Sequence, residues 1–213
     1  MKADAVYEIL KERGMLAGMR GHFPADVALP IAETLVKAGI NVFELTMNST
    51  QPIETMQAIK AEFGDTVCAG MGTVLDRETA HRVIEAGADF IVSPAFGPEV
   101  VQAALDADIL VAPGVITPTE CVNAWDMGVK LLKIFPIAPL GLSYFKSIRG
   151  PLSHMSFLAN GGIDGDNTRD YIAAGATCCG VSGWLTGDGT WPLDKIHERA
   201  EVLISAVAAG RSL

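Results

Sequence analysis

Two hydrophobic periods take turns along this chain. Short runs dense in apolar residues, as expected of strands whose outer face is covered by helices, recur at 15–20 (MLAGMR), 41–47 (NVFELTM), 66–71, 89–92, 109–112, 129–135 (VKLLKIF), 155–159 and 178–181. Between them apolar side chains return every three or four positions, predicting helices over 25–38, 52–63, 76–86, 97–106, 117–127, 141–148, 166–174 and 192–209. Several of these stretches close on a glycine, at Gly39, Gly87 and Gly175, a helix stop signal. The opening MKADAVYEILKERG is polar and amphipathic and reads as an additional helix ahead of the first strand.

Strict alternation of strand and helix predicts a parallel sheet with right-handed crossovers. Eight units predict closure into a (β/α)₈ TIM barrel with an extra N-terminal helix, the alternative being an open doubly wound sheet. No linker or break in composition divides residues 1–213, so one barrel domain is expected.

In such a barrel the reacting groups stand at the C-terminal ends of the strands, and each strand alternates its faces residue by residue. Within 129–135, Val129, Leu131, Lys133 and Phe135 share the face opposite Lys130, Leu132 and Ile134, which sets an ammonium among apolar neighbours. Within 41–47, Val42, Glu44 and Thr46 share one face and Phe43, Leu45 and Met47 the helix-covered other, so Glu44 is expected to point into the barrel. A buried lysine either snorkels to water, sits in a salt bridge, or loses its proton and becomes a nucleophile toward carbonyls. A buried acid converging with it forms an ion pair or a catalytic pair.

Other strand ends carry Arg20, Thr73, Pro94, the pair Gly161-Gly162 and the pair Ser182-Gly183. The last two pairs fall in the loops after strands seven and eight, where barrels bind phosphate through backbone N–H groups; the alternative is that they are ordinary turns. Phe135, two residues past Lys133, is either core packing or a wall that keeps the amine dry.

Composition narrows the classes of partner. A net charge of −9, with no run of Lys or Arg, disfavours a nucleic acid or an anionic membrane surface. No stretch approaches the ~18 uninterrupted apolar residues of a membrane span. The N-terminus has neither an apolar core nor a small-residue cleavage site, and the four cysteines show no C-x-x-C spacing, so reduced thiols and a cytoplasmic location are expected. The four histidines are dispersed, and no P-loop, dinucleotide fingerprint or G-x-S-x-G stands in its proper context. Neither a metal nor a cofactor is expected.

The stretches MRG (19–21), AGINVFELTMNS (38–49), GMGTV (70–74), SPAFGPEVV (93–101), APGVITPTE (112–120) and LLKIFP (131–136) come in one characteristic order. Together they resemble the 2-keto-3-deoxy-6-phosphogluconate aldolases and the related 4-hydroxy-2-oxoglutarate and phosphogalactonate aldolases, over about residues 15–185. The resemblance implies a class I aldolase in which Lys133 matches the Schiff-base lysine and Glu44 the general acid/base, with Arg20 and Thr73 similar to positions that hold a substrate carboxylate. It further implies a 2-keto-3-deoxy sugar acid as substrate, of the 6-phosphogluconate, 6-phosphogalactonate or 4-hydroxy-2-oxoglutarate type and expected in the 6-phosphorylated form. Cleavage would give pyruvate and an aldehyde without a cofactor, and the assembly would be a homotrimer.

Departures from the family pattern touch both ends of that substrate, the distal one most. Asn48 stands where some members carry arginine, which shifts the carboxylate clamp toward Arg20. Ala159-Asn160-Gly161-Gly162 replaces P-T-G-G, Ser182-Gly183-Trp184 displaces a G-S serine by one position, and no acidic residue follows Phe135-Pro136-Ile137-Ala138. Two further readings share the barrel: a phosphosugar isomerase, epimerase or synthase, and a non-catalytic metabolite-binding barrel.

Overall fold

The computed structural model describes residues 1–213. After helix α1 (Ala3–Arg13) come β1 (Met15–Met19), α2 (Ala25–Ala38), β2 (Val42–Thr46), α3 (Pro52–Phe63), β3 (Cys68–Gly72), α4 (Arg77–Glu85), β4 (Phe90–Val92) and α5 (Pro98–Asp106). The second half runs β5 (Leu110–Ala112), β6 (Gly114–Val115), α6 (Pro118–Asp126), β7 (Leu132–Ile134), α7 (Gly141–Arg149), β8 (Phe157–Asn160), α8 (Thr168–Ala173), β9 (Cys178–Val181), α9 (Gly183–Thr186) and α10 (Leu193–Arg211).

All nine strands join one parallel sheet in the order β5-β4-β3-β2-β1-β9-β8-β7-β6. The sheet's two ends, β5 and β6, are consecutive in the chain and separated only by Pro113. Proline has no N–H to give a ladder, so it interrupts the strand there. The first half bonds to β4 and the second to β7, and the chain itself carries the ring around. The eight expected strands are therefore nine segments of a (β/α)₈ barrel.

Helix ends follow local chemistry. α2 stops where Gly39 takes φ 100°, and α6 starts with a capping box in which Thr117 and Glu120 each bond the other's backbone N–H. The expectation that the third strand begins at Thr66 fails, because Gly64–Thr66 forms a 3₁₀ turn and β3 starts two residues later. The expected strand 129–135 shortens to β7, and Val129 packs in the outer layer rather than beside Lys133. Gly128, at φ 100°, turns the backbone just before it, so the alternation of faces starts only at Leu131.

Two apolar layers follow from that alternation. The outer faces of the strands, with Phe43, Leu45, Ile91, Leu132 and Ile134, pack against the helices. Each such side chain contributes roughly 1.5–3 kcal/mol. Inside the ring Leu16, Val42, Cys68, Phe90, Leu110, Leu131, Leu158 and Cys178 close the N-terminal half, and Val6 and Leu10 of α1 plug its floor. Gly70 leaves room for this filling: a Cβ there would lie 2.5 Å from the Phe90 ring. The floor is thus dry, and polar inward groups are confined to the opposite mouth.

Candidate active site

At that mouth Gly18, Glu44, Thr46, Lys133, Asn160 and Ser182 face a cavity of about 170 Å³. Lys133 sits mid-strand in β7, with Gly114 of β6 on one side and Leu158 of β8 on the other. It is only 5% exposed. Its Nζ lies 4.6 Å from the centroid of the Phe135 ring, as expected for two residues on one face. Burial drives the Lys133 ammonium below its usual 10.5; Glu44 pulls it partly back up and Arg20 pushes it further down.

That lowered value has a consequence for stability. The unfolded chain binds the proton over a pH range in which the folded chain has released it, so this site makes stability rise with pH up to about 10.5. At lower pH the charged amine is a cost. Lys133→Met should raise the melting temperature at pH 7, and the gain should shrink as pH approaches 10.5; a melting temperature lowered at pH 7 would show the ammonium to be paired and stabilising.

Glu44 is carried by β2, flanked by Gly18 of β1 and Gly70 of β3, and is 4% exposed. Its carboxylate occupies the space a side chain on Gly72 would fill: a Cβ there would be 1.9 Å from Oε1. Gly72→Ala must therefore swing the acid out of position. A displacement of about 1 Å at a reacting group costs about 10²-fold in rate. We expect that loss in kcat, read by pyruvate release, with little change in substrate affinity.

Arg20 follows β1 and reaches the cavity from a loop tied to β2. Ser49 makes the tie: its Oγ accepts from Gly21 N at 3.0 Å, stands 2.8 Å from Thr46 Oγ1 and donates to Met19 O at 3.4 Å. Thr50 N adds a bond to Gly21 O at 3.0 Å. Opposite, Thr73 is held at φ 59°, a left-handed backbone that β-branched residues rarely adopt and that costs ~1–3 kcal/mol. The strain is local to the cavity wall.

A second cavity of about 270 Å³ continues outward, sharing Arg20, Phe135, Asn160 and Ser182 with the first. Every residue singled out from the sequence lines one or both. Arg20, Glu44, Asn48, Thr73, Pro94, Lys133, Phe135 and Ser182 meet in the inner space, and Gly161, Gly162 and Gly183 line the outer one. Thr46, Asn160 and Trp184, which the sequence places at or beside strand ends without a role, also line these walls, as does Asp164, which the sequence did not single out. Thr46 was legible from its parity with Glu44. Asp164 was not, because it lies in the turn between β8 and α8, beyond the strand end that alternation describes.

Other nucleophiles are poorly placed. All four cysteines are free and buried, and desolvation pushes Cys68 and Cys178 up to about 12 and Cys121 up to about 11, far from a reactive thiolate. No three His, Cys, Asp or Glu side chains converge as metal ligands. None of the helices is long and apolar enough to cross a membrane.

A parallel (β/α)₈ ring with its titratable groups gathered at the C-terminal ends of the strands is the architecture of a barrel enzyme. Residues 6–198 match the family model described as KDPG and KHG aldolase. The chain belongs to that family, and is an aldolase, a carbon–carbon lyase. Among curated relatives, the KHG/KDPG aldolase of Escherichia coli (strain K12) is 35% identical over 159 residues, 74% of each chain. A solved structure described as native KDPGal superposes with a TM-score of 0.88 at 30% identity, covering 93% of this chain and 96% of that one. A KDPG aldolase from Legionella pneumophila, described with pyruvate captured at low pH as a covalent carbinolamine intermediate, gives 0.79 at 26% identity over 95% and 97%.

Proposed function

We propose that this chain is a class I aldolase that cleaves a 2-keto-3-deoxy sugar acid to pyruvate and an aldehyde through a Schiff base on Lys133. The observation that carries the reading is a desolvated lysine facing the same small cavity as a buried carboxylate, with its proton affinity lowered by burial. The capture of pyruvate in the Legionella relative supports it.

In this reading the neutral amine of Lys133 attacks the C2 carbonyl, and Glu44 delivers and removes the protons of carbinolamine formation and dehydration. The protonated imine then draws the electron pair of the C3–C4 bond as that bond breaks. The C4 hydroxyl loses its proton as the aldehyde forms, and a pyruvate enamine stays on the lysine. Glu44 mediates its protonation at C3, and water releases pyruvate. Arg20 suits the C1 carboxylate because a guanidinium presents two parallel N–H groups, with Thr73 and Asn48 beside it. Phe135 and Pro94 keep that end of the cavity dry.

Borohydride reduction in the presence of pyruvate is the direct test. A covalent mass gain on Lys133 supports the scheme, whereas an unmodified lysine sinks it. An isomerase or epimerase on the same barrel would release no pyruvate. A homotrimer and a cytoplasmic setting complete the proposal, the first from the family resemblance and the second from the four free cysteines; sedimentation analysis reads the assembly.

A further inference from the structure

The end of the barrel opposite the mouth carries a hollow of about 370 Å³, larger than the cavities of about 170 and 270 Å³ described above. It lies where α1, the last residues of α7 and α10, and the segments leading into β8 and β9 meet. Its lining includes Lys11, Arg149, His154 and Arg211 and no carboxylate. In a chain with 25 acidic residues against 16 Lys and Arg, that gathering of positive charge runs against the composition.

The backbone holds both guanidinium groups in place. Arg149 Nε donates to Gly175 O at 3.1 Å, and its side chain fills the space that a Cβ on Gly175 would take. Arg211 Nη1 donates to Glu12 O at 2.6 Å and Nη2 to Lys11 O, as suits a cation at the C-terminal end of α1. These bonds explain why the arginines are ordered. They leave the charge unspent, because neither has a carboxylate partner and the terminal amino groups of Arg149 have no acceptor in the protein. Lys11 pairs with Glu8 at 3.3 Å, but both side chains are more than half exposed, so water screens that pair heavily. Neutral donors stand among the cations. Ser153 lines the hollow with its hydroxyl unbonded, and Thr177 Oγ1 accepts from Phe157 N at 3.3 Å, which leaves its O–H free to donate.

We propose that this hollow is a second ligand site, separate from the catalytic mouth, and that it binds a phosphate group, as free phosphate or as the phosphate of a small ester. A carboxylate offers two coplanar oxygens, which one guanidinium satisfies. Here fixed charges and hydroxyls converge from several elements, an arrangement suited to a tetrahedral dianion with three or more acceptor oxygens.

Calorimetric titration at constant ionic strength, with inorganic phosphate and with glycerol 3-phosphate, reads the site in the wild type, Arg149→Gln and Arg20→Gln, the last as a control at the mouth. A lost charge-assisted bond costs roughly tenfold to a hundredfold in affinity. The wild type should show a phase of binding that survives Arg20→Gln and weakens by about tenfold or more in Arg149→Gln, whose kcat for pyruvate release should stay at the wild-type value. The tighter of the two ligands identifies the source of the phosphate. Lys11→Gln changes an exposed side chain, so it serves if Arg149→Gln does not fold, and it should weaken the same phase several-fold. No binding of either ligand overturns the proposal. So does binding that Arg20→Gln removes and that Arg149→Gln and Lys11→Gln leave unchanged, since it belongs to the mouth.

Discussion

Lys133→Ala should lower kcat for pyruvate release by about 10⁴-fold or more, as removing the nucleophile from a covalent mechanism does, and should abolish borohydride-dependent labelling with pyruvate. The protein should remain folded. The amine's nearest aromatic partner is the Phe135 ring, and its burial outweighs the pull of Glu44, so its removal relieves more cost than it creates. The cavity left by the lost methylenes opens onto the larger one at the barrel mouth, where solvent can fill it. Cleavage within tenfold of the wild type, measured on protein whose circular dichroism and melting curve are native, would remove Lys133 from the mechanism and the Schiff base with it.

Glu44→Gln should cost about 10²–10⁴-fold in kcat, the usual range for a lost general acid/base. Glutamine matches glutamate in shape, so the close packing against Gly72 survives and the change isolates proton transfer from position. Borohydride trapping on Lys133 should still occur, only more slowly, because the nucleophile is intact while the proton shuttle is not. This distinguishes it from Lys133→Ala, which loses trapping altogether, and from Gly72→Ala, which keeps the acid but moves it. Unchanged trapping and unchanged turnover in Glu44→Gln would assign the proton transfers to another group. Thr46, which lines the same cavity, is then the alternative.

Much of this site could be read along the chain because strand parity is a local property. The inward orientation of Glu44 and Lys133 follows from two-residue alternation in VFELT and LLKIF, and both face the cavity as that alternation requires. Where parity failed, at Val129, the cause was a turn at Gly128 that the apolar run concealed. The split of the fifth strand was also present in the sequence, as Pro113, but its meaning depended on which neighbours each half would meet.

The sequence by itself determined the eight-unit alternation, the inward pair of acid and amine, and the set of strand ends from which a site is made, since each depends on residues close together in the chain. Only the tertiary structure decided what those ends do to one another. Glu44 is held by the absence of a side chain on Gly72 one strand away, Arg20 by Ser49 on the next loop, and the turn after β8 by Asp164 folding its carboxylate back onto it. Distances across a closed barrel are set by register and closure, which no local pattern encodes.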